Sequence, residues 1–398
     1  MSKRTLAQLD GGRLDGQRVV VRVDLNVPIT DGVVGDDTRI RASLPTIKYL
    51  REKGARVVLL SHLGRPKGAP DPKYSLKPVA RALEKALGIP ITFLEDPTSE
   101  AAVGVVRHMP RGGVALAENT RFYPGEETND GALADRFAAL GDIYVNDAFG
   151  SAHRAHASTE AIAHRLKPAV SGFLMEKELK FLGEAVNQPV RPFVAILGGA
   201  KISGKIDLIE ALLPKVDHIL VGGAMACTFF KAMGLETGNS LVEADRVEMA
   251  KALLAKAGDK LVLPTGAMIA EKLAPGVETR EASRDRIPVG WAMFDIDSST
   301  VSHFGEIIAG ARTVIWNGPM GVFETPPFDA GTLGVAHALA AATGKGAITI
   351  VGGGDSAAAI TAAGLDAQVT HVSTGGGASL EFLEGKPLPG VAALDDLP

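Results

Sequence analysis

The residues of the first half best suited to chemistry are polar and basic side chains that follow short apolar runs. Each of them alone could be an ordinary surface residue or a turn at the end of a strand. Together, the arginines among them could bind phosphate and carboxylate groups through paired hydrogen bonds. The set, called here the basic cluster, consists of Asp24, Asn26, Arg39, His62, Arg65, Arg121 and Arg154.

In the second half, glycines stand at the end of one apolar run after another. Glycine lets the backbone approach a ligand closely, and a helix that begins just afterwards directs its free N–H groups at the same place. One such pair is consistent with a tight turn between strand and helix, whereas five along one sheet edge favour a site for nucleotide phosphates. The glycines are Gly198–Gly199, Gly222–Gly223, Gly318, Gly352–Gly354 and Gly375–Gly377.

One of these turns is similar to the phosphate-binding loop of nucleoside triphosphatases. Residues Gly199–Ile206 fit the pattern G-x-x-x-x-G-K, but Ile206 replaces the Ser or Thr whose hydroxyl would hold Mg²⁺, which argues against that class. Lys201 and Lys205 are spaced by one helical turn, which predicts that they share one face at the start of a helix. They could be two solvated lysines. Alternatively, they could bind a phosphate, because the dipole at the start of a helix disfavours cations that have no anionic partner.

Apolar runs that alternate with helical patterns must position these residues. Most runs are continuously apolar, as expected of parallel strands buried on both faces. The pattern predicts an α/β protein with two doubly wound, Rossmann-like parallel-sheet domains of five and seven strands, joined by a helix within Ser171–Gln188. The predicted strands are Arg18–Asp24, Arg56–Ser61, Ile91–Asp96, Gly113–Glu118, Ile143–Asp147, Pro192–Gly198, His218–Gly222, Lys260–Pro264, Ala292–Ile296, Thr313–Asn317, Ala347–Gly352 and Gln368–Ser373.

Composition excludes several classes of protein. The chain has 398 residues, 46% hydrophobic and 22% charged, which excludes a disordered chain. Its longest uncharged stretch, Ala330–Gly344, is shorter than the ~20 apolar residues of a membrane span. A net charge of −4 is unsuited to nucleic-acid binding, and a single cysteine, Cys227, predicts a reducing compartment and a buried thiol. We therefore expect a cytoplasmic protein that binds small anions.

Longer motifs around these residues are typical of one family. The chain resembles the phosphoglycerate kinases over essentially its whole length, with specific motifs in the order found in that family. The resemblance implies reversible in-line phosphoryl transfer between 1,3-bisphosphoglycerate and ADP, giving 3-phosphoglycerate and ATP without a phosphoenzyme. The motifs are Val21–Pro28, Ser61–Pro66, Asn119–Glu127, Asn146–His156, Gly172–Leu179, Ile196–Lys205, Val314–Glu324, Gly352–Ser356 and Ser373–Leu380.

The resemblance also implies a domain organisation. Residues 1–171 would bind phosphoglycerate, 172–188 would form a hinge helix, 189–376 would bind the nucleotide with Mg²⁺, and 377–398 would return to the N-terminal domain. A hinge motion would bring the two ligands together. We expect a monomer whose ligands are these small molecules.

Site residues follow from the resemblance position by position. The basic cluster matches the family's phosphoglycerate site. Glu324 would bind the ribose hydroxyls and Asp355 the metal. The residues expected around the transferring phosphoryl group are Arg39, Lys201, Gly354 and Gly377. Those that match the nucleotide side are Gly199, Lys201, Lys205, Gly222, Gly223, Asn317, Glu324, Gly352, Gly353, Gly354, Asp355 and Ser356.

Three segments depart from the family pattern. Asp297-Ser298 replace the usual Gly-Pro, Thr265-Gly266 replace Val-Asp, and Met293 replaces a glycine beside the adenine. Met293 could lie along the purine ring or point into the core between sheet and helix. Its strand, Ala292–Ile296, is expected to end at the nucleotide edge of the second sheet.

A non-catalytic, two-domain binding protein of the clamshell type is the alternative function. Such proteins are typically exported, whereas the N-terminal segment of this sequence lacks an apolar signal region. They also have no need to combine an arginine cluster with a glycine-rich phosphate edge. Oxidation of NADH in an assay that couples 3-phosphoglycerate and ATP to glyceraldehyde-phosphate dehydrogenase would distinguish the two classes.

Overall fold

The computed structural model describes residues 3–9 and 13–397, which form two compact units. The first unit extends through Lys180 and includes the segment from Pro387 onward, and the second comprises Phe181–Lys386. The division falls inside the predicted hinge helix. The return to the first unit begins at Pro387, later than the Gly377 expected from the sequence.

The first unit is built on a six-stranded parallel sheet. Its strands, and those of one short hairpin, are β1 (Arg18–Arg22), β2 (Ile29–Thr30), β3 (Val33–Val34), β4 (Arg56–Leu60), β5 (Ile91–Leu94), β6 (Val114–Ala117), β7 (Ile143–Asn146) and β8 (Ala169–Ser171). The sheet order is β5-β6-β4-β1-β7-β8, and β2 pairs with β3. In the central strand β1, Val19 and Val21 enter one core and Val20 enters the other. Burial on both faces explains the continuously apolar sequence.

Helices cover both faces of this sheet. They are α1 (Thr38–Glu52), α2 (Lys77–Leu87), α3 (Glu100–His108) and α4 (Gly131–Ala138). Helices α1 and α2 contribute Ile47 and Leu83 to the core that contains Val21. Helices α3 and α4 contribute Val106 and Phe137 to the opposite core. The hairpin and β8 were not predicted, because runs of two or three residues carry no periodic signal.

Helix α5 (Phe173–Asn187) contains the division between the units. It begins directly after β8, and Asp147 supplies its N-terminal hydrogen bonds. The Asp147 carboxylate accepts from the backbone amides of Leu174 (2.9 Å) and Met175 (3.1 Å). Burial raises the pKa of Asp147 to about 6, although these hydrogen bonds oppose the shift. A buried cap thus fixes the start of the helix within the first unit.

The second unit contains another six-stranded parallel sheet. The strands of this unit are β9 (Phe193–Leu197), β10 (His218–Val221), β11 (Leu261–Val262), β12 (Gly266–Ala270), β13 (Arg280–Ser283), β14 (Ala292–Ile296), β15 (Thr313–Asn317), β16 (Ile348–Gly352) and β17 (His371–Val372). The parallel sheet has the order β11-β10-β9-β15-β16-β17. Two doubly wound domains are therefore confirmed as the fold class.

The predicted place of Ala292–Ile296 in this sheet is wrong. The segment forms β14, which pairs antiparallel with β12 in a separate sheet of order β13-β12-β14. An apolar run identifies a buried strand but does not identify its partner. The edge strand β13, with the sequence Arg-Glu-Ala-Ser, is largely exposed and has no apolar signal.

Seven helices of the second unit lie between or after its strands. They are α6 (Ile206–Leu212), α7 (Met225–Ala232), α8 (Val247–Ala257), α9 (Ser298–Gly310), α10 (Ala330–Gly344), α11 (Gly354–Ala362) and α12 (Gly377–Leu383). Across the described ranges, none of the protein's helices combines the length and the apolar character that a membrane crossing requires.

The returning segment of the first unit contains α13 (Pro389–Ala392). The Lys3 ammonium donates to the carbonyls of Ala392 (3.0 Å) and Leu394 (2.8 Å). Asn146, the last residue of β7, donates from Nδ2 to the Gly390 carbonyl at 2.9 Å. Side chains from the start of the chain and from the end of β7 thus hold this segment in place.

Candidate active site

The first part of the candidate site is an ion pair after β1. Arg39, in the first turn of α1, donates from Nη1 to both carboxylate oxygens of Asp24 (3.0 and 3.1 Å) and to the Asn26 carbonyl (3.3 Å). The Asp24 side chain is 10% exposed, whereas that of Arg39 is 37% exposed. Asp24 therefore orients a guanidinium group that still has access to a ligand.

His62 follows β4 and lies against Arg22, the last residue of β1. Arg22 Nη2 is 3.1 Å from His62 Nδ1. Burial lowers the pKa of His62 well below its usual value, and the positive charges of Arg22, Arg121 and Arg39 lower it further. His62 is consequently a neutral ring among cations.

Asn119 joins the loops that follow β4 and β6. Its Nδ2 donates to the carbonyls of Leu63 (2.7 Å) and Tyr74 (2.9 Å), and its Oδ1 accepts from the amides of Leu63 (3.1 Å) and Arg121 (3.0 Å). Arg121 in turn donates from Nη1 to the Gly64 carbonyl at 2.8 Å. These contacts hold the Arg121 backbone and one nitrogen of its guanidinium before any ligand binds.

The segment after β7 supplies Arg154 and His156. Burial lowers the pKa of His156 to about 3, together with the charges of Arg22, Arg121 and Arg154. Burial and the charges of Arg22 and Arg154 also lower the pKa of Arg121, against the attraction of Glu127. So many mutually repelling groups in one buried region are suited to a ligand with several negative charges.

Six of the seven residues of the basic cluster thus lie together. Asn26 belongs to them because its Oδ1 accepts from the Gly64 amide at 3.0 Å. Arg65 is adjacent in sequence to Gly64 but exposed, and in the described ranges no hydrogen bond or ion pair joins it to the other members.

Glycines let the loops after β9, β10 and β15 of the second unit pack directly on one another. A Cβ at Gly198 would overlap the Gly318 carbonyl, and one at Gly223 would overlap the backbone of Gly199. A Cβ at Gly222 would meet a methionine side chain. Gly199, Gly223 and Gly318 also have positive φ values of 120°, 71° and 96°. The tight-turn interpretation therefore holds for these positions, whatever they bind.

Lys205 and Asn317 form the polar centre of this edge. Lys205 Nζ donates to Asn317 Oδ1. Burial lowers the pKa of Lys205 to about 8, against the attraction of the Asp355 and Glu384 carboxylates. Asn317 is 2% exposed, and its Nδ2 has no hydrogen-bond partner among the described residues. A partly buried cation beside an unsatisfied donor is suited to an anionic ligand.

The loop after β16 lies against the same asparagine. Gly353 has a φ of 91°, and a Cβ there would be 3.0 Å from Asn317 Nδ2. The buried Ser356 accepts through Oγ from the Gly318 amide at 2.6 Å, which connects this loop to the one after β15. Gly352 ends β16, and Asp355 is exposed in the first turn of α11.

The expectation that Lys201 and Lys205 share one helix face is wrong, and three residues of the nucleotide side lie at exposed positions or at a short helix. Lys201 and Lys205 do not share a helix face, because the 3₁₀ turn Ile202–Gly204 separates them and α6 begins only after Lys205. Lys201 and Glu324 are exposed, and Gly377 begins α12, a helix of only seven residues.

Met293 lies in the core rather than at an open surface. It is 3% exposed, and its Sδ is 3.6 Å from Sγ of Cys227, which is fully buried. The structure therefore favours the core alternative for Met293, and the predicted burial of Cys227 is confirmed. Burial raises the pKa of this thiol to about 11.

The unusual pair Asp297-Ser298 forms the start of α9. Asp297 accepts through Oδ1 from the Thr300 amide at 2.9 Å, as an N-terminal cap does. Ser298 donates from its amide and its hydroxyl to Glu281 at 2.9 and 3.0 Å. The departure from Gly-Pro at these positions thus serves local structure.

Sequence reasoning missed four buried polar residues beneath the basic cluster. Only Arg22 carried a usable signal, since a charged residue inside an otherwise apolar strand must find a buried partner. The others gave no sign of their spatial neighbours. The four are Arg22, Asn119, Glu126 and His156.

Comparisons with known proteins agree with the resemblance. A family model described as phosphoglycerate kinase matches residues 9–386. The chain is 53% identical to the phosphoglycerate kinase of Synechococcus elongatus over 100% of both chains, and 54% identical to the cytosolic phosphoglycerate kinase 3 of Arabidopsis thaliana over 99% of each. The solved phosphoglycerate kinase of Coxiella burnetii has a TM-score of 0.89 and 41% identity over 98% of each chain. The chain therefore belongs to the phosphoglycerate kinase family.

Proposed function

We propose that this phosphoglycerate kinase binds phosphoglycerate at the basic cluster of its first unit and the Mg²⁺-nucleotide at the glycine-rich edge of its second. The observation that carries the first assignment is that the buried Arg22 and Arg121 and the half-buried Arg154 lie close to two neutral histidines. Guanidinium groups bind phosphate and carboxylate bidentately, and phosphoglycerate carries both.

The reaction itself requires positioning and charge neutralisation rather than a protein nucleophile. In the direction of ATP consumption, a carboxylate oxygen of 3-phosphoglycerate forms a bond to the γ-phosphorus while the bond to the β,γ-bridging oxygen breaks. ADP leaves with that electron pair. The attacking carboxylate is already ionised, so no general base is needed. We assign Arg39 and Lys201 to the two flanks of the transferring group, with the backbone at Gly354 and Gly377 beside it.

On the nucleotide side, Lys205 and the unsatisfied Nδ2 of Asn317 would bind phosphate oxygens, and Glu324 would bind the ribose. The exposed carboxylate of Asp355 fits Mg²⁺, because this ion is usually held by one or two carboxylates together with substrate phosphates. When bound, Mg²⁺ would neutralise charge on the phosphates. Within the described ranges no group of three or more His, Cys, Asp or Glu side chains could hold a metal, so phosphate oxygens would complete its ligands.

The decisive experiment is the coupled assay with 3-phosphoglycerate, ATP and glyceraldehyde-phosphate dehydrogenase. We expect NADH oxidation that depends on both substrates and on Mg²⁺. Calorimetric binding of 3-phosphoglycerate without turnover would instead support the clamshell binding protein. Closure of the two units during the reaction, a monomeric state and a cytoplasmic location stay predictions. The location is supported by the relative named cytosolic.

The lowered pKa of Lys205 predicts a pH dependence of nucleotide use. Below about pH 8 the ammonium is charged and attracts the phosphates, whereas above it the amine is neutral and the attraction is lost. We therefore expect kcat/KM for ADP to fall as the pH rises from 7 to 9. The Lys205→Arg variant keeps its charge, so its profile should lack this fall.

The matched control for this experiment is Lys256→Arg, which changes an exposed lysine of α8. Its profile should follow that of the unmodified protein. If Lys205→Arg retains the same decline above pH 8, the decline belongs to another group, and Lys205 is not the phosphate-binding cation.

Burial of Met293 predicts an effect on stability rather than on nucleotide affinity. Met293→Ala should lower the free energy of unfolding by about 2–5 kcal/mol, because it leaves a cavity next to Cys227. KM for ADP should stay within about twofold of the original value, since a core residue makes no contact that nucleotide binding uses. Urea titration and ADP kinetics measure the two effects. Met233→Ala, at a methionine that is 43% exposed, is the control. A raised KM with an unchanged urea midpoint would restore the purine-contact interpretation.

A further inference from the structure

Arg22 is a fully buried arginine directly beneath the basic cluster. Its exposed fraction is 0%, although it ends a strand of valines. All three of its guanidinium nitrogens have partners: Nη1 donates to the Val23 carbonyl, Nε donates to Ser158 Oγ at 2.9 Å, and Nη2 lies 3.1 Å from His62 Nδ1. The group is therefore held in a single orientation.

The contact with His62 fixes the direction of one hydrogen bond. A guanidinium group has five N–H donors and no acceptor, so His62 Nδ1 must accept with its lone pair. A neutral imidazole carries a single ring proton, which must then reside on Nε2. With Arg22 in place, His62 can only donate through Nε2.

The surroundings of His62 keep its ring neutral. Burial is the first cause of its lowered pKa, and Arg22, Arg121, Arg39 and His156 all disfavour a further positive charge. His156 is itself neutral near pH 7, because its pKa is lowered to about 3. The ring of His62 therefore presents one N–H donor at neutral pH.

A buried carboxylate beneath Arg22 compensates the charge of the guanidinium. Ser158 Oγ, which accepts from Arg22 Nε, donates to Glu126 Oε1 at 2.5 Å. The Ser158 amide donates to Glu126 Oε2 at 3.0 Å. Glu126 is completely buried, so the chain from Glu126 through Ser158 to Arg22 is shielded from water. Shielding strengthens these contacts and keeps Arg22 oriented toward His62.

We propose that Arg22 is a positioning residue that makes His62 a neutral, obligate Nε2–H donor to an anionic oxygen of phosphoglycerate. The opposite tautomer would present a lone pair at Nε2 and repel that oxygen. This role rests on the proposed phosphoglycerate site, but the tautomer itself is a property of the free protein.

The first test is the tautomer of His62 in the unmodified protein. Long-range proton–nitrogen NMR correlations distinguish the two neutral tautomers and the imidazolium, and the spectrum of His62→Gln identifies the His62 signals among the nine histidines. We expect the Nε2–H tautomer throughout pH 6–8. A proton on Nδ1, or an imidazolium within that range, overturns the proposal without any substrate. This measurement also decides the matter if variants of Arg22 do not fold.

The second test is the pH dependence of KM for 3-phosphoglycerate in Arg22→Met. Without the guanidinium, the His62 proton can move to Nδ1, so KM should rise by about tenfold or more at pH 8. Loss of the Arg22 charge removes one of the causes that lower the pKa of His62, although burial still lowers it. Because an imidazolium donates from both nitrogens, the ratio of the variant's KM to that of the unmodified protein should decrease as the pH falls from 8 to 6.

The matched control is Arg18→Met, at the opposite end of β1, where Arg18 pairs with Asp142 at 2.5 Å. Its KM for 3-phosphoglycerate should depend on pH as that of the unmodified protein does. Any change caused by titration of the substrate phosphate will appear in both proteins. A purely structural role for Arg22 would raise KM equally at both pH values, and that result would contradict the proposal. If His62 carries its proton on Nε2 but does not bind phosphoglycerate, NMR should still show the Nε2–H tautomer. In that case Arg22→Met should leave KM for 3-phosphoglycerate unchanged.

Discussion

Arg39→Ala is expected to lower kcat by at least about a hundredfold, the loss typical of removing a donor that stabilises a transition state. In the described part of the chain, all hydrogen bonds of the Arg39 side chain use Nη1, toward Asp24 and Asn26. Nε and Nη2 can therefore donate to the transferring phosphoryl group. Arg39→Lys should recover only part of the activity, because an ammonium that pairs with Asp24 lacks the planar fork needed for a second partner.

The measurement is kcat for both variants at saturating substrate, with the urea midpoint as a check of folding. Arg41→Ala is the matched control, because Arg41 is exposed on the same helix and, among residues 3–9 and 13–397, pairs only with Asp37 and Thr38. Its kcat should be unchanged. A kcat for Arg39→Ala within threefold of the original would reject the assignment of Arg39 to the transition state.

The parallel sheets were predictable because strands that are buried on both faces are apolar at consecutive positions. Runs such as Arg56–Ser61 and Thr313–Asn317 are apolar without alternation, and the observed strands begin at the same residues. The pairing of β14 was not predictable, since its apolar run is equally compatible with either sheet. The exposed strand β13 and the short β8 were missed for a related reason, because neither buries enough side chains to show a period.

The candidate site was predictable only in the residues that follow the apolar runs or lie in the family motifs. Arg121 and Arg154 stand in loops, where a basic residue is conspicuous after an apolar run. Asn119 lies at the start of one family motif, and its side chain makes four hydrogen bonds that link Arg121 to the loop of His62. Such a role depends on contacts between segments far apart in sequence, and no local pattern contains that information. The same holds for Lys205, whose pairing with a buried asparagine could not be deduced from its spacing.

Met293 illustrates how two physically sound interpretations can be separated only by packing. A methionine can cover a purine or fill a core, and both uses depend on the same flexible thioether. The 3.6 Å contact with Cys227 favours the second.

Deletion of residues 388–398 is expected to lower both the stability of the first unit and kcat. The deletion removes Leu388 and Leu394, which are 4% and 3% exposed. It also leaves Lys3, itself 8% exposed, without the two carbonyls it binds. Asn146 Nδ2 also loses its acceptor at Gly390.

The effect on catalysis follows from the position of Asn146. The next residue is Asp147, whose carboxylate caps the start of α5. Loosening this corner should therefore disturb the helix proposed as the hinge, while the nucleotide-binding residues of the second unit are untouched. We expect a lower kcat with a nearly unchanged Kd for ADP. Small-angle scattering should also show less compaction on addition of both substrates.

Lys3→Met provides a milder version of the same change, because the segment is still present but loses an anchor. It should lower the urea midpoint and kcat in the same direction as the deletion, by a smaller amount. Lys48→Met, at an exposed lysine of α1, is the control and should change neither. If the deleted chain keeps its kcat and compacts with both substrates as the complete chain does, the returning segment only stabilises the first unit. The proposed coupling to the hinge would then be wrong.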